Sequence, residues 1–145
     1  MPSAEVKEAT RREWRELCFF YERDDLTEIW RIGGYVHSLR NFARLVRDYA
    51  LEPDHESLSE HQHFGPYMYL EIGSWNHPEI TNNWIAGPLR DLFTLASLIE
   101  NVATRSAVGD RVSLRHPFAP QSAYDLIVEV QDDAFDPARA DPHCW

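Results

Sequence analysis

The chain has 145 residues, of which 43% are hydrophobic and 12% aromatic, and this composition predicts a single domain over residues 1–145 and excludes a disordered chain. Its 14 basic and 24 acidic residues give a formal net charge of −10. Nucleic acids and anionic membranes attract clustered Lys and Arg side chains, so we expect neither as a partner.

We expect the protein to be cytoplasmic. A signal peptide has a basic start followed by an apolar run, and residues 1–8 have neither. Cys18 lies in the apolar run 17–21 and is expected to be a core thiol, whereas Cys144 is expected to be a thiol of the tail. A disulfide between the two cysteines is the less favoured alternative.

The first predicted elements are two strands joined by a turn. Residues 13–22 are rich in β-forming side chains and end at the turn Arg23-Asp24-Asp25-Leu26, which leads into a strand around Ile29–Ile32. Gly33-Gly34 follows this strand. It predicts a tight turn rather than a phosphate-binding loop, because neither G-x-G-x-x-G nor a P-loop lysine is present.

A Trp-x-x-Gly pattern occurs twice and predicts an internal repeat. The two copies are Trp30-Arg31-Ile32-Gly33 and Trp84-Ile85-Ala86-Gly87. Apolar residues at three- and four-residue steps follow each copy, and they predict helices at about 37–50 and 88–105.

A strand of similar composition follows each predicted helix. Residues 68–72 and 126–130 each place one carboxylate between aliphatic side chains, as expected of a strand with one covered face. The pseudo-repeat therefore spans about 28–75 and 80–131. Two β-α-β units in tandem predict an α+β protein, a ferredoxin-like two-layer sandwich with two main helices on one face of a mostly antiparallel sheet.

Three further segments complete the predicted fold. A strand at 111–115 is expected to pair with residues 124–131. Residues 51–65 are predicted to form a polar loop, longer than most loops of compact domains. The tail from Asp132 is acidic and contains prolines, and we expect it to be irregular.

The strand at 67–75 predicts a binding surface on the open face of the sheet. Its aliphatic residues Met68, Leu70 and Ile72 are expected to face the helices, and the alternate residues to face away. Aromatic side chains exposed in this way are typical anchors of protein interfaces. Burial of the same side chains under the N-terminal hairpin or the tail is the alternative interpretation. The predicted binding residues are Tyr67, Tyr69, Glu71, Trp75, Arg31, Asp125 and Glu129.

Histidines and carboxylates are concentrated at residues 54–65. His55, His61 and His63 offer nitrogen ligands for Zn²⁺, but their spacing matches neither H-E-x-x-H nor a paired-cysteine site. We therefore predict no cofactor and only adventitious binding of a divalent ion by these histidines. Glu71, with His61 or His63 as a second group, is the best candidate for acid–base catalysis. The favoured interpretation of Glu71 is an exposed strand residue, so we do not expect an enzyme.

The opening of the first unit resembles a known class of proteins. The strand Trp30-Arg31-Ile32-Gly33-Gly34 leads into a helix that contains Leu39-Arg40-Asn41-Phe42-Ala43-Arg44-Leu45. Together with the strongly acidic charge, this layout over about residues 28–131 resembles the small acidic α/β immunity proteins of bacterial toxin systems. The resemblance implies an inhibitor that binds a basic, nuclease-like toxin with the help of electrostatic steering.

Three classes of function remain open. An acidic binding or inhibitory module predicts a basic protein partner whose binding is sensitive to salt. A small-molecule-binding protein or small enzyme, which would use the open aromatic face and the loop histidines, predicts a concave apolar pocket. A structural homodimer without catalytic activity predicts a large self-complementary patch on the open sheet face.

Overall fold

The structure is a computed structural model that describes residues 1–145, and it confirms the α+β class. No helix combines the length and the apolar character needed to span a membrane. The elements in chain order are α1 (Ala4–Leu17), β1 (Phe20–Asp24), β2 (Ile29–Gly34), α2 (Val36–Leu51), β3 (His61–Phe64), β4 (Leu70–Ser74), β5 (Glu79–Ile80), β6 (Ile85–Gly87), α3 (Leu89–Arg105), β7 (Arg111–Ser113), α4 (Arg115–Phe118) and β8 (Asp125–Val130).

The strands form two four-stranded sheets. Sheet A has the order β1-β2-β8-β7, and sheet B has the order β3-β4-β6-β5. In each sheet the central pair is parallel and the two outer pairs are antiparallel. The prediction of a single sheet is therefore wrong, whereas four of the six strand pairs are antiparallel, as predicted. Alternating hydrophobicity determines which face of a strand is buried, but it does not identify the neighbouring strand.

After α1, the two halves of the chain have the same order of elements, a hairpin followed by a long helix and a second hairpin. These are β1–β2, α2 and β3–β4 in the first half, and β5–β6, α3 and β7–β8 in the second. Each parallel pair joins one strand of the first half to one strand of the second, β2 to β8 and β4 to β6. Each sheet therefore combines the first hairpin of one half with the second hairpin of the other half.

Helices α2 and α3 lie within two residues of their predicted bounds and contact each other more extensively than any other two elements. Their apolar stripes and the inner faces of both sheets, with a few side chains of α1, α4 and the tail, form one core of 30 buried residues. Each large aliphatic or aromatic side chain in such a core contributes about 1.5–3 kcal/mol through removal from water. The largest side chains that the two helices bury are Leu39, Phe42, Tyr49, Leu92, Leu95 and Ile99.

Residues 13–17 belong to α1 and not to a strand, which corrects the predicted β-rich segment. Ser3 caps this helix, since its Oγ accepts a hydrogen bond from the Val6 amide at 3.2 Å. Trp14 is the only buried residue of α1. Five charged residues of α1 between positions 11 and 16 leave it without the broad apolar stripe from which helices are recognised in sequence.

Two other local predictions need correction. Strand β3 lies inside residues 51–65, which were predicted to be a loop throughout. The acidic tail forms short 3₁₀ turns at Pro137–Ala140 and Pro142–Cys144, and both pack against α1. Cys144 is buried there, whereas Cys18 is only half-buried and both thiols are free. The tail therefore contributes to the core, and the expected roles of the two cysteines are reversed.

Candidate functional site

The predicted binding residues do not share one face. Arg31 lies on the outer face of sheet A, where it pairs with Glu22 and with Glu129, whose carboxylate is 3.8 Å away. Glu129 also forms an ion pair with Arg111, whose Nε atom lies 2.9 Å from the Glu129 carboxylate. These four residues form a row of alternating charge across all four strands of sheet A. Arg31 and Glu129 are thus partners of each other and do not accompany the tyrosines.

Asp125 also lies in sheet A, at the start of β8. Its carboxylate accepts hydrogen bonds from the Ser113 hydroxyl at 2.7 Å and from the Arg115 amide at 3.3 Å. The structure therefore gives Asp125 a local role at the junction of β7, α4 and β8, away from the strand that carries the predicted aromatic residues.

Glu71 belongs to β4 of sheet B, and Trp75 directly follows the end of that strand. The Trp75 ring lies 5.7 Å from the ring of Trp84, and Trp84 in turn covers Gly73, where an added Cβ would lie 2.3 Å from the indole. Glu71 is directly opposite His63 in the β3–β4 pair and lies 3.6 Å from the imidazole of His61. These residues line the outer face of sheet B.

Tyr67 and Tyr69 lie in a loop before β4, which corrects the predicted start of the strand. Leu70 and Ile72 are fully buried as predicted, but the Met68 side chain is 62% exposed and does not face the helices. Tyr67 and Met68 have φ angles of 64° and 57°, in the left-handed region that side chains other than glycine rarely adopt. Period-two alternation predicted the wrong direction for Met68 because the backbone turns there.

The loop Gly65–Tyr69, which we call the tyrosine loop, presents three consecutive large apolar side chains to solvent. Tyr67 is 45% and Tyr69 64% exposed, beside the equally exposed Met68. Two residues in left-handed conformation cost on the order of 1–3 kcal/mol each, and such strain concentrates at functional sites. The exposed apolar cluster and the strained backbone coincide in this one loop.

The tyrosine loop is held at its base by buried contacts. The hydroxyl of Tyr21 donates its single proton to the carbonyl of Pro66, and the carbonyl of Phe64 lies 3.3 Å from the same hydroxyl. Burial raises the pKa of this hydroxyl to about 12. The amide of Met68 donates to the carbonyl of Gly65 at 3.1 Å. These bonds hold the loop in its strained conformation, so Tyr69 is presented without a large ordering penalty on binding.

An aromatic cleft of about 360 Å³ opens beside the tyrosine loop. The buried rings of Trp14, Tyr21 and Trp30 form its floor. The ring centroid of Tyr21 lies 5.0 Å from that of Trp14 and 6.4 Å from that of Trp30. Tyr67 and Tyr69 form its rim, their ring centroids 5.5 Å apart. The other lining residues are Phe20, Glu22, Arg23, Ala140, Asp141, Pro142 and His143.

Asp141 is a buried carboxylate in the wall of the aromatic cleft. It accepts hydrogen bonds from Trp14 Nε1 at 2.8 Å and from the Tyr67 hydroxyl at 2.6 Å. Burial alone raises the pKa of this carboxyl, but the hydrogen bonds from Tyr67 and Trp14 outweigh burial and the net pKa lies below its usual value. Burial and the bond to Asp141 raise the pKa of Tyr67 far above its usual range.

The aromatic cleft can bind a cation or an apolar side chain. Aromatic faces attract Lys and Arg side chains through the ring quadrupole, and a neighbouring carboxylate strengthens that attraction. The protein itself uses this property, because the guanidinium of Arg23 lies 5.9 Å from the ring of Trp30. The rings that a partner's basic side chain can reach are those of Tyr67 and Tyr69 at the rim, since the floor rings are buried.

The loop histidines divide into two groups. His55 stacks on Tyr49 at 3.9 Å and its Nδ1 bonds to the Tyr49 carbonyl at 2.7 Å. It lines a depression of about 600 Å³ whose walls are mostly charged and polar. His61 and His63 lie instead with Glu71, and one ligand atom of each of these three residues lies within 4.8 Å of the others. The predicted trio of histidines is therefore not formed.

Sequence reasoning missed Trp14, Trp30 and Asp141 as parts of the site. Trp30 was assigned only to the repeat, Trp14 to a strand, and Asp141 to an irregular tail. No local pattern connects them, since Trp14 and Asp141 are joined only by tertiary packing. Comparison of the chain with protein-family models, with curated proteins and with solved structures gave no significant match.

Proposed function

We propose that the protein is an acidic protein-binding module, an inhibitor of the immunity type, which binds a basic partner protein at the aromatic cleft. The observation that carries the proposal is the tyrosine loop. It exposes Tyr67, Met68 and Tyr69 from a strained and firmly anchored backbone, directly beside a ready-formed aromatic cleft. Exposed large apolar residues grouped in this way are typical of protein-binding surfaces.

The expected division of roles follows from the geometry. Tyr69 is the most exposed ring at the rim and serves as the anchor that becomes buried on binding. The cleft accepts a Lys or Arg side chain of the partner, for which the exposed rings of Tyr67 and Tyr69 at its rim provide the faces. The net charge of −10 attracts a basic protein and accelerates the encounter. A cytoplasmic location is part of the proposal, and the two free thiols support it.

The test screens the products of the neighbouring reading frames for a basic protein that binds this chain, and titrates that protein, purified separately, in a calorimeter at several salt concentrations. We expect Tyr69→Ala to weaken binding by about 30-fold, which corresponds to about 2 kcal/mol for an interface anchor. Val108→Ala is the matched control. Val108 is likewise 64% exposed, but it precedes β7 at the opposite edge of sheet A from β1.

Tyr69→Ala is expected to melt at the same temperature as the wild type, since its side chain is exposed. Wild-type affinity in folded Tyr69→Ala would contradict the proposed surface. Affinity that does not fall with added salt would contradict steering of a basic partner. Self-association that depends on Tyr69, measured by sedimentation, would assign the same surface to a homodimer and overturn the proposed inhibitor.

A further inference from the structure

We propose that His61, His63 and Glu71 form a site for a divalent cation of the Zn²⁺ class on the outer face of sheet B. The three residues come from one antiparallel strand pair. His63 lies opposite Glu71, and His61 lies two residues before His63 on the same face of β3. Backbone pairing therefore places all three side chains together, and no loop rearrangement is needed to assemble them.

The distances between the ligand atoms of these residues are close to those found around a bound zinc ion. The His61 Nε2 and Glu71 Oε1 atoms lie 3.6 Å apart, and one ligand atom of each of the three residues lies within 4.8 Å of the others. Ligand atoms about 2.0–2.2 Å from a tetrahedral Zn²⁺ are separated by about 3.3–3.6 Å. One pair of ligands is thus already at the required spacing, and rotation of exposed side chains brings in the third.

Both imidazoles are oriented for metal binding by the backbone. His61 Nδ1 bonds to the Ser59 carbonyl and His63 Nδ1 bonds to the Met68 carbonyl, each at 2.9 Å. A carbonyl only accepts hydrogen bonds, so Nδ1 carries the proton in both rings, and in the neutral imidazole Nε2 then holds the lone pair that binds a metal. Metal-binding histidines are held in this way, with the second ring nitrogen donating to a carbonyl or carboxylate.

The ligand set favours Zn²⁺ over Mg²⁺ and Ca²⁺. Two imidazole nitrogens and one carboxylate oxygen form a His₂Glu set, which zinc accepts and which leaves a fourth position for water. Mg²⁺ and Ca²⁺ prefer oxygen ligands throughout, and this cluster offers only one carboxylate. The His61 side chain is 46% exposed and that of Glu71 18%, so an ion reaches the site directly from solvent.

The experiment titrates Zn²⁺ into protein that carries no affinity tag and has been freed of metal with a chelator. We expect one equivalent to bind, with no comparable heat from Mg²⁺. His61→Ala and His63→Ala should each weaken binding by about 10-fold to 100-fold or more, at least the loss seen when outer-shell partners are removed. Glu71→Gln should also weaken it. His77→Ala is the matched control, because His77 is exposed but lies outside the cluster.

A second readout separates a built site from loose association. Co²⁺ in the same site should give visible d–d absorption that disappears in His61→Ala and His63→Ala and persists in His77→Ala. Circular dichroism confirms that the variants are folded, as expected for substitution of exposed side chains. Zn²⁺ binding that survives both histidine substitutions, or that falls equally in His77→Ala, would overturn the site. Less than one equivalent bound by the wild type would overturn it as well.

Discussion

Asp141 connects the C-terminal tail to the aromatic cleft through its ionised carboxylate. Because its folded pKa lies below the usual value, ionisation stabilises the folded protein. That contribution is complete above the unfolded pKa of about 3.9, and it is lost as the pH falls through the lower folded pKa. Acid therefore weakens the link between the tail, α1 and Tyr67.

Asp141→Asn should lower the free energy of unfolding at pH 7 by about 1–3 kcal/mol, the usual penalty for a buried polar group left without a partner. An amide cannot accept at both positions. Its NH₂ group would face a donor, either Trp14 and Tyr67 on one side or the His143 amide on the other. Urea unfolding at pH 7 and at pH values below 4 measures this free energy.

The difference in stability between wild type and Asp141→Asn should shrink as the pH falls below about 4, because the wild type then loses the same charge. Asp133→Asn is the control, since Asp133 is an exposed acid of the same tail. A difference that stays constant down to pH 2 would show that ionisation of Asp141 does not stabilise the fold.

The sequence predicted individual site residues only where a local pattern carried them. Tyr67 and Tyr69 were identified through aromatic alternation, although the strand begins after them. Trp14 and Asp141 were not identified, because their contact depends on how the two ends of the chain meet. His61 and Glu71 were considered as a possible pair, and the β3–β4 register brings them together.

At the level of elements, α2 and α3 were predictable because each buries a full apolar stripe. Helix α1 was not, since it buries one residue and contacts the tail more than any other part of the chain. The hairpin of β7 and β8 followed from alternation near a turn. The division into two sheets did not, because parallel pairing of distant strands leaves no local signature.

The tyrosine loop, taken as an element, depends on Gly65 for a backbone conformation that other residues rarely adopt. Gly65 has φ 75° and ψ −175°, a region open essentially to glycine alone. An added Cβ would lie 2.7 Å from the Tyr21 ring and 2.8 Å from Leu17. We expect Gly65→Ala to lower the free energy of unfolding by about 1–3 kcal/mol and to weaken partner binding, because the loop is displaced. Urea unfolding and calorimetry measure the two effects.

Gly109→Ala separates backbone strain from the clash. Gly109 also has a positive φ, 95°, but an added Cβ there meets nothing within 4 Å. Its substitution should therefore be less destabilising than Gly65→Ala and should leave partner binding unchanged. Equal loss of stability in the two variants would show that contact with Tyr21 and Leu17 is unimportant.

At the scale of the whole molecule, the two halves of the chain depend on each other. Neither half contains a complete sheet, because the central parallel pairs β2–β8 and β4–β6 both cross from one half to the other. Helices α2 and α3, one from each half, bury their apolar faces against each other. A separated half would expose two hairpins with open edges and an uncovered apolar helix, and isolated hairpins are marginally stable at best.

We therefore expect residues 1–76 and 77–145, produced separately, to lack cooperative unfolding, and to recover the far-UV spectrum of the intact chain when mixed in equal amounts. The division falls between β4 and β5, outside every helix and strand. Circular dichroism during urea titration measures folding, and size-exclusion chromatography measures reassembly. The intact chain is the control and should unfold in one transition, seen alike by tryptophan fluorescence and dichroism. A cooperative transition in either half alone would mean that the parallel pairs are dispensable, and that each half folds as an independent unit.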